Sequence, residues 1–228
     1  MFWVKLRKRG YSSSMVSLWR VLRRQALQPV KPPNPKYVPK PYEKMLYPGQ
    51  RVQVDVKVVP LACIVPNADG LKERYYQYTA IDEYSRFRYV AAFKEQGTYS
   101  SAQFLDMLVK AFPFRIECIQ TDNGLEFIKE FKEHEKGKLS LFEARLKQLG
   151  IRYKLIKPYT PRHNGKVERS HRKVNEYFYA THKFYSFEDF ATQLVVQNRK
   201  YNSFPMRPLN WRSPKDYITD FLNDRLLY

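Results

Sequence analysis

The sequence predicts an α/β fold, a mixed five-stranded sheet flanked by helices and preceded by a basic N-terminal arm. Three alternating or β-branched runs follow one another within residues 51–94. A strand–helix–strand order comes next, and two long helical patterns complete the core. With 43% apolar and 16% aromatic residues in a chain of 228, there is ample material for packing.

Residues 1–28 and 29–49 stand apart in composition. The first fifty residues carry eleven Lys and Arg against one acid, Glu43. Ser14 is placed to cap a helix whose Met15, Leu18, Trp19 and Leu22 follow the i, i+3, i+4, i+7 rule, with Arg20, Arg23 and Arg24 on the other side. Seven prolines between Pro29 and Pro48 predict an extended, semi-rigid linker.

The core is expected over residues 50–218. RVQVDVKVV, YYQYTAIDEY and FRYVAAFK read as three strands, close enough together for an antiparallel meander. A helix capped near Thr98 or Ser100 carries Phe104, Leu105, Leu108, Val109 and Phe112 on one face. RIECIQT then reads as a buried strand ending at Asp122, and the strand–helix–strand order implies a parallel crossover. Phe127, Phe131 and LSLFEARLKQLG read as helical and Gly150 stops them. IRYKLI is the fifth strand, before the Pro-rich loop KPYTPRHNG. Helices over roughly 164–183 and 186–202 complete the core, and residues 219–228 are left as a tail.

Charge narrows the partners. Forty-one Lys and Arg against 22 Asp and Glu give +19, which favours a polyanion, nucleic acid first. No window approaches the apolar length of a membrane span, so no membrane partner is expected. Cys63 and Cys118 are single thiols in apolar surroundings, and the four histidines form no paired zinc pattern. Any metal must therefore be held by carboxylates.

Three carboxylates stand out. Asp55 interrupts the β-branched run VQVDVKV, where it is either solvated on an open face or bound to something. Asp122 ends a strand and precedes Asn123 and Gly124; it is a turn residue or a site residue at the carboxyl edge of a sheet. Glu168 lies just inside a helix among Arg162, Lys166, Arg169, Arg172 and Lys173. It either answers the helix dipole or faces a ligand, sharing a helical face with Asn164, His171 and Asn175. Brought together at one sheet edge, the three are the donor set of a two-metal phosphodiester site.

VDVK, YTAIDEYSRFRYVAAF, TDNGLEF and PYTPRHNGKVERSHRKV together resemble the catalytic core shared by bacterial insertion-sequence transposases and retroviral integrases, the DDE superfamily. YNSFPMRPLNWRSPKDYI is similar to the usual ending of that core. The resemblance implies a ribonuclease H-like fold, with Asp55, Asp122 and Glu168 as the acidic triad holding two Mg²⁺ or Mn²⁺ ions once substrate is bound. It further implies DNA end cleavage and strand transfer in transposition, by a homo-oligomer on double-stranded transposon ends and target, in a bacterial cytoplasm at the nucleoid. Asn164, Lys166, Arg169, Arg172 and Lys173 are the expected DNA contacts of the core. The segment LRKRGYSSSMVSLWRVLRRQAL, with Arg20, Arg23 and Arg24, resembles the last part of a helix-turn-helix module. Two alternatives stand beside this reading: a nuclease of the same fold that does not join DNA, and a non-catalytic DNA-binding remnant or transposition repressor.

Overall fold

Alternation at every second residue decides which way each strand faces, and the computed structural model shows the outcome over residues 2–25, 27, 43–128, 139–156 and 164–226. These residues form two units, Met1–Glu43 and Lys44–Tyr228.

The first unit contains α1 (Phe2–Arg7), which the sequence reading lacks, and α2 (Met15–Arg24). Ser14 caps α2 as expected, its hydroxyl accepting the Ser17 N–H at 3.1 Å. Leu18 is buried, whereas Met15 and Trp19 remain exposed. The Arg23 guanidinium lies over the Trp19 ring, 5.2 Å from its centre. Most of the expected proline linker lies outside the described residues.

In the second unit β1 (Val52–Val58), β2 (Tyr76–Asp82) and β3 (Arg88–Phe93) form the antiparallel meander. The fourth strand, β4 (Cys118–Thr121), lies parallel to β1, and β5 (Arg152–Leu155) lies parallel to β4. The resulting mixed sheet has the order β3-β2-β1-β4-β5. Helix α3 (Thr98–Ala111) makes the crossover, and α4 (Leu141–Gln148) precedes β5. Helix α5 (Gly165–Val174) runs on through a π-helical turn, Asn175–Tyr179, and α6 (Phe187–Asn202) follows.

Several local expectations are corrected. Neither Thr98 nor Ser100 caps α3; Gly97 does, in extended backbone with no side-chain bond. Val109 faces solvent, while Phe104, Leu105, Leu108 and Phe112 are buried. Phe127 is buried in a turn rather than a helix, and Phe131 lies outside the described residues. Ser140 starts α4 with a reciprocal capping box to Glu143. Gly150, at φ +65°, ends that helix as expected. A last helix, α7 (Pro214–Leu226), had no clear apolar period and crosses residue 218, the expected end of the core.

The sheet is covered on both faces. Val52, Val54, Tyr78, Ala80 and Ile119 pack with Phe104, Leu108, Phe142 and Leu146 into one apolar layer under α3 and α4. Near Val90 the other face meets Val174, Phe178, Phe190 and Leu194 of the α5–α6 layer. That second face also buries polar side chains: Gln53, Gln77, Thr79 and Arg88 are all fully inaccessible. Arg88 is the most demanding of them. Its guanidinium donates to Asn198 Oδ1 at 3.0 Å, to Ser170 Oγ at 3.0 Å and to Gln197 Oε1, and lies 3.9 Å from the centre of the Tyr201 ring. Burial pulls its pKa down to about 10, so it stays charged at neutral pH while joining β3 to α5 and α6.

Arg88→Ala leaves several buried acceptors without a donor. It is expected to lower the unfolding free energy by at least about 2 kcal/mol, since each orphaned group costs about 1–3 kcal/mol. A urea unfolding midpoint indistinguishable from that of the parent chain would contradict this role.

Candidate active site

Because side chains alternate along β1, Gln53 and Asp55 point toward α5 while Val52 and Val54 point into the opposite layer. Asp55 is half-buried and stands directly across from Thr79 of β2. Asp122 follows the last residue of β4, the strand on the other side of β1. Its Oδ1 accepts the Gly124 N–H at 3.1 Å, so the Asp-Asn-Gly turn expected from sequence is present and fixes the carboxylate at the sheet edge. The Asn123 side chain ties this turn to the end of β5 through the Ile156 carbonyl at 3.3 Å.

Glu168 comes from α5, and Gln53 of β1 together with Glu83 of the β2–β3 turn positions that helix. Gln53 Oε1 accepts the N–H groups of Lys166 at 3.2 Å and Val167 at 3.3 Å, so a strand side chain supplies the helix cap. Asn164, at the cap position itself, is buried, and its Oδ1 has no hydrogen-bond partner among the described residues. Gln53 is held in turn by Glu83. The buried Glu83 carboxylate accepts from Gln53 Nε2 at 2.9 Å, from Arg51 Nε at 2.7 Å and Nη2 at 3.2 Å, and from Lys166 Nζ at 2.7 Å.

The three acids meet electrostatically. Asp122 holds its proton above the usual carboxylate range, first through partial desolvation and then through the negative charge of Asp55, opposed by the Gly124 N–H. Glu168 is shifted the same way, by desolvation, then by Asp55, with Asp122 adding to the effect and His171 opposing it. His171 Nδ1 lies 3.3 Å from Asp55 Oδ2, and its Nε2 lies 3.0 Å from the Thr79 hydroxyl. That hydroxyl accepts from Gln77 at 2.8 Å, and Gln77 accepts from the Tyr179 phenol at 2.6 Å. One arrangement satisfies every member: Thr79 donates to Nε2, and the Nδ1 proton goes to Asp55. The other Asp55 oxygen accepts the Val56 N–H at 2.9 Å.

Among the described residues no three His, Cys, Asp or Glu side chains are gathered closely enough to hold a metal ion by themselves. The donor chemistry nevertheless suits a hard divalent cation. Mg²⁺ binds through one or two carboxylates plus waters and substrate phosphates rather than a closed protein cage. Positive charge between Asp55, Asp122 and Glu168 would also relieve the repulsion that raises two of them.

The expected DNA contacts are divided. Lys166 is bound to Glu83 and anchors the helix, which separates it from the solvent-facing cations. Arg169 and Lys173 are exposed, and Arg172 lies 3.7 Å from Glu176 across one helical turn. Arg20, Arg23 and Arg24 are exposed on α2, in the other unit. Sequence reasoning placed His171 on the face of Glu168 but gave it no partner, and it passed over Gln53 and Glu83. Gln53 had a usable signal, since it shares the alternation of Asp55; Glu83 had none.

The integrase core domain model matches residues 47–161, and a second model of the same description matches residues 149–214. The ORF3 product of Spiroplasma virus SpV1-C74, named as an integrase, is 26% identical over 177 residues, 73% of this chain and 47% of that protein. The chain thus spans about half the length of that relative. A retrovirus-related Pol polyprotein from transposon RE1 of Arabidopsis thaliana is 30% identical over 105 residues, 45% of this chain and 6% of its own length. Among solved structures, the BIV integrase catalytic core domain has a TM-score of 0.52 at 17% identity, covering 78% of this chain and 99% of that one. A chain of a simian T-cell lymphotropic virus intasome has a TM-score of 0.54 at 18% identity, covering 75% and 54% respectively. The mixed five-stranded, ribonuclease H-like fold expected from sequence is the one these neighbours share.

Glu83→Gln is expected to destabilise the second unit by about 3 kcal/mol, because it removes the buried anion shared by Arg51 and Lys166. A loss under about 1 kcal/mol in chemical denaturation would show that the network does not hold α5 in place.

Proposed function

The chain belongs to the integrase core domain family, and we propose that it is a metal-dependent polynucleotidyl transferase that cleaves DNA ends and joins them to target DNA. The observation that carries the reading is the convergence of Asp55, Asp122 and Glu168 from two neighbouring strands and the helix laid across them, where desolvation and then the charge of Asp55 raise the other two. Same-sign charges collected at one sheet edge are unfavourable for the fold alone, and a cationic ligand accounts for them.

In this reading Asp55, Asp122 and Glu168 hold two Mg²⁺ or Mn²⁺ ions when DNA is present. Bound divalent metal supplies activation of the attacking hydroxyl and stabilisation of the leaving oxygen. The chain's own part is orientation. His171 and the Val56 N–H fix both oxygens of Asp55, the Gly124 N–H fixes Asp122, and Gln53 with Glu83 sets the height of Glu168 over the sheet. The unpartnered Asn164 Oδ1, one turn before Glu168, is an acceptor for a substrate or water donor. Arg169, Arg172 and Lys173 lie on the same helix to neutralise phosphates, and Arg20, Arg23 and Arg24 add a second basic surface. Double-stranded DNA, both transposon ends and target, is the proposed partner, with the protein acting as a homo-oligomer in the bacterial cytoplasm. No helix among the described residues is long and apolar enough to cross a membrane.

Asp122→Asn is expected to abolish both cleavage and strand transfer on pre-cut ends in Mg²⁺ or Mn²⁺, while DNA affinity stays equal or rises slightly. Strand transfer by this variant would remove Asp122 from the site. Absence of any metal-dependent activity in the parent chain, with DNA binding retained, would favour the repressor reading.

The salt dependence of binding separates the cations. Arg169→Ala and Lys173→Ala should each flatten the slope of log affinity against log salt by about 0.9, one phosphate contact apiece. Lys166→Ala should instead leave the slope unchanged and lower stability, because its ammonium already serves Glu83. An unchanged slope in both of the first two variants would move the DNA path away from this face of α5.

A further inference from the structure

A hollow of about 430 Å³ opens beside the start of α5, bounded by the β2–β3 turn and by residues 204–213 between α6 and α7. This volume falls within the usual range for small ligands, about 300–1,000 Å³, and suits a single nucleotide rather than a duplex. Its lining includes the side chains of Phe204 and Trp211, which are 62% and 70% exposed. Two large rings left to water within one short loop are an unusual cost for a chain with no ligand for them.

The backbone adds an independent observation. Asn210 and Trp211 both take left-handed conformations, at φ +53° and +63°. A bulky residue such as Trp rarely accepts that region. The loop enforces it through its own bonds: Trp211 N–H and Leu209 N–H both donate to the Met206 carbonyl, at 3.0 and 2.9 Å, and Met206 N–H donates to the Arg212 carbonyl at 3.0 Å. The strain is thus spent on a rigid presentation of the indole.

Charge specifies the occupant. Arg86, Arg169, Lys173 and Arg207 line the same hollow, and none of the described residues lining it is acidic. Exposed aromatic faces beside cations form the chemistry that receives an unpaired base and its phosphates. A base inside the duplex cannot use it, because both of its faces are already stacked. Arg169 adjoins Glu168 in sequence, so the hollow and the acidic cluster draw on the same turn of α5.

We propose that this hollow is a subsite for one unpaired nucleotide at a DNA end, with Trp211 and Phe204 stacking on the base and Arg169, Lys173 and Arg207 meeting its phosphates. The proposal rests on the DNA-processing reading above and adds to it a preference for ends carrying an unpaired nucleotide.

The test uses the full chain and two short duplexes, one blunt and one ending in a single unpaired 2-aminopurine nucleotide. The parent protein should bind the second more tightly and quench its emission by stacking. Trp211→Ala should abolish the quenching and weaken binding of the overhang about 5- to 150-fold, the range of one lost base–aromatic stack, while blunt-end affinity is unchanged. Trp211→Phe, which keeps a ring, should restore most of the difference. Equal affinity of the parent for both duplexes, or equal losses on both in Trp211→Ala, overturns the subsite but leaves the DNA-processing reading intact. Failure of the parent to bind either duplex overturns both. Displacement of the overhang by an equal concentration of free deoxynucleotide reassigns the hollow to a soluble nucleotide. Normal DNA binding with a smaller oligomer in Trp211→Ala reassigns it to a contact between copies.

Discussion

The buried carboxylate of Glu83 is the constraint on which the candidate site depends. Taking such a group out of water costs several kcal/mol, and only dense pairing returns it. Here pairing is dense: Arg51 contributes two bonds, Gln53 one and Lys166 one. Each partner then does something further. By drawing the Gln53 amide nitrogen toward itself, Glu83 turns the Gln53 oxygen to the first N–H groups of α5. By taking the Lys166 ammonium, it fixes the same helical turn from its side-chain end. The height and rotation of α5 over β1, and with them the position of Glu168 relative to Asp55, follow from one acid that is not among the three proposed to hold metal.

That arrangement explains why the two faces of the sheet differ. Under α3 and α4 the strands present Val, Tyr, Ala and Ile, and packing there is a matter of volume. Under α5 the same strands present Gln53, Gln77, Thr79 and Arg88, and every one of them is hydrogen-bonded. A satisfied polar layer permits few alternative packings, because a shift of the helix would orphan several groups together. Asp55 stands where this layer meets solvent. Tyr179, Gln77, Thr79 and His171 form a continuous chain behind it, so the carboxylate is oriented from the protein interior before any ligand arrives.

Sequence periodicity carried most of the fold and a defined part of the site. The alternation in VQVDVKV put Asp55 on the face opposite Val52 and Val54, and the helical spacing of Glu168 with His171 put both on one side of α5. Strand boundaries fell within a residue or two, because β-branched runs end at turn residues, except at β4, whose run RIECIQT starts three residues before the strand does. The misses have physical causes. Gly97 replaced Thr98 as a cap because the α3 terminus leaves its cap without a side-chain bond, which no local pattern announces. Phe127 is buried by contact with Phe142, a tertiary effect that imitates a helical position. Glu83 was absorbed into the strand run YYQYTAIDEY without a role, since its partners Gln53 and Lys166 lie 30 and 83 residues away in the chain. Likewise, Lys166 resembled its basic neighbours in sequence, and only the fold separates an anchoring lysine from exposed Arg169 and Lys173.

Net charge and local charge point in opposite directions around this site, and that contrast bears on its chemistry. The chain carries +19, so its acids have an abundance of cations to choose from. Yet the cations built into the α5–β1 contact are committed: Arg51 and Lys166 to Glu83, and Arg88 to neutral acceptors beneath Ser170. His171, the basic group facing Asp55, meets it as a hydrogen-bond donor in the arrangement that satisfies the Thr79 chain. Among the described residues, then, these cations hold the scaffold while Arg169, Arg172 and Lys173 lie on the outer face of α5, and the repulsion that Asp55 exerts on Asp122 and Glu168 is what the proposed cation would relieve.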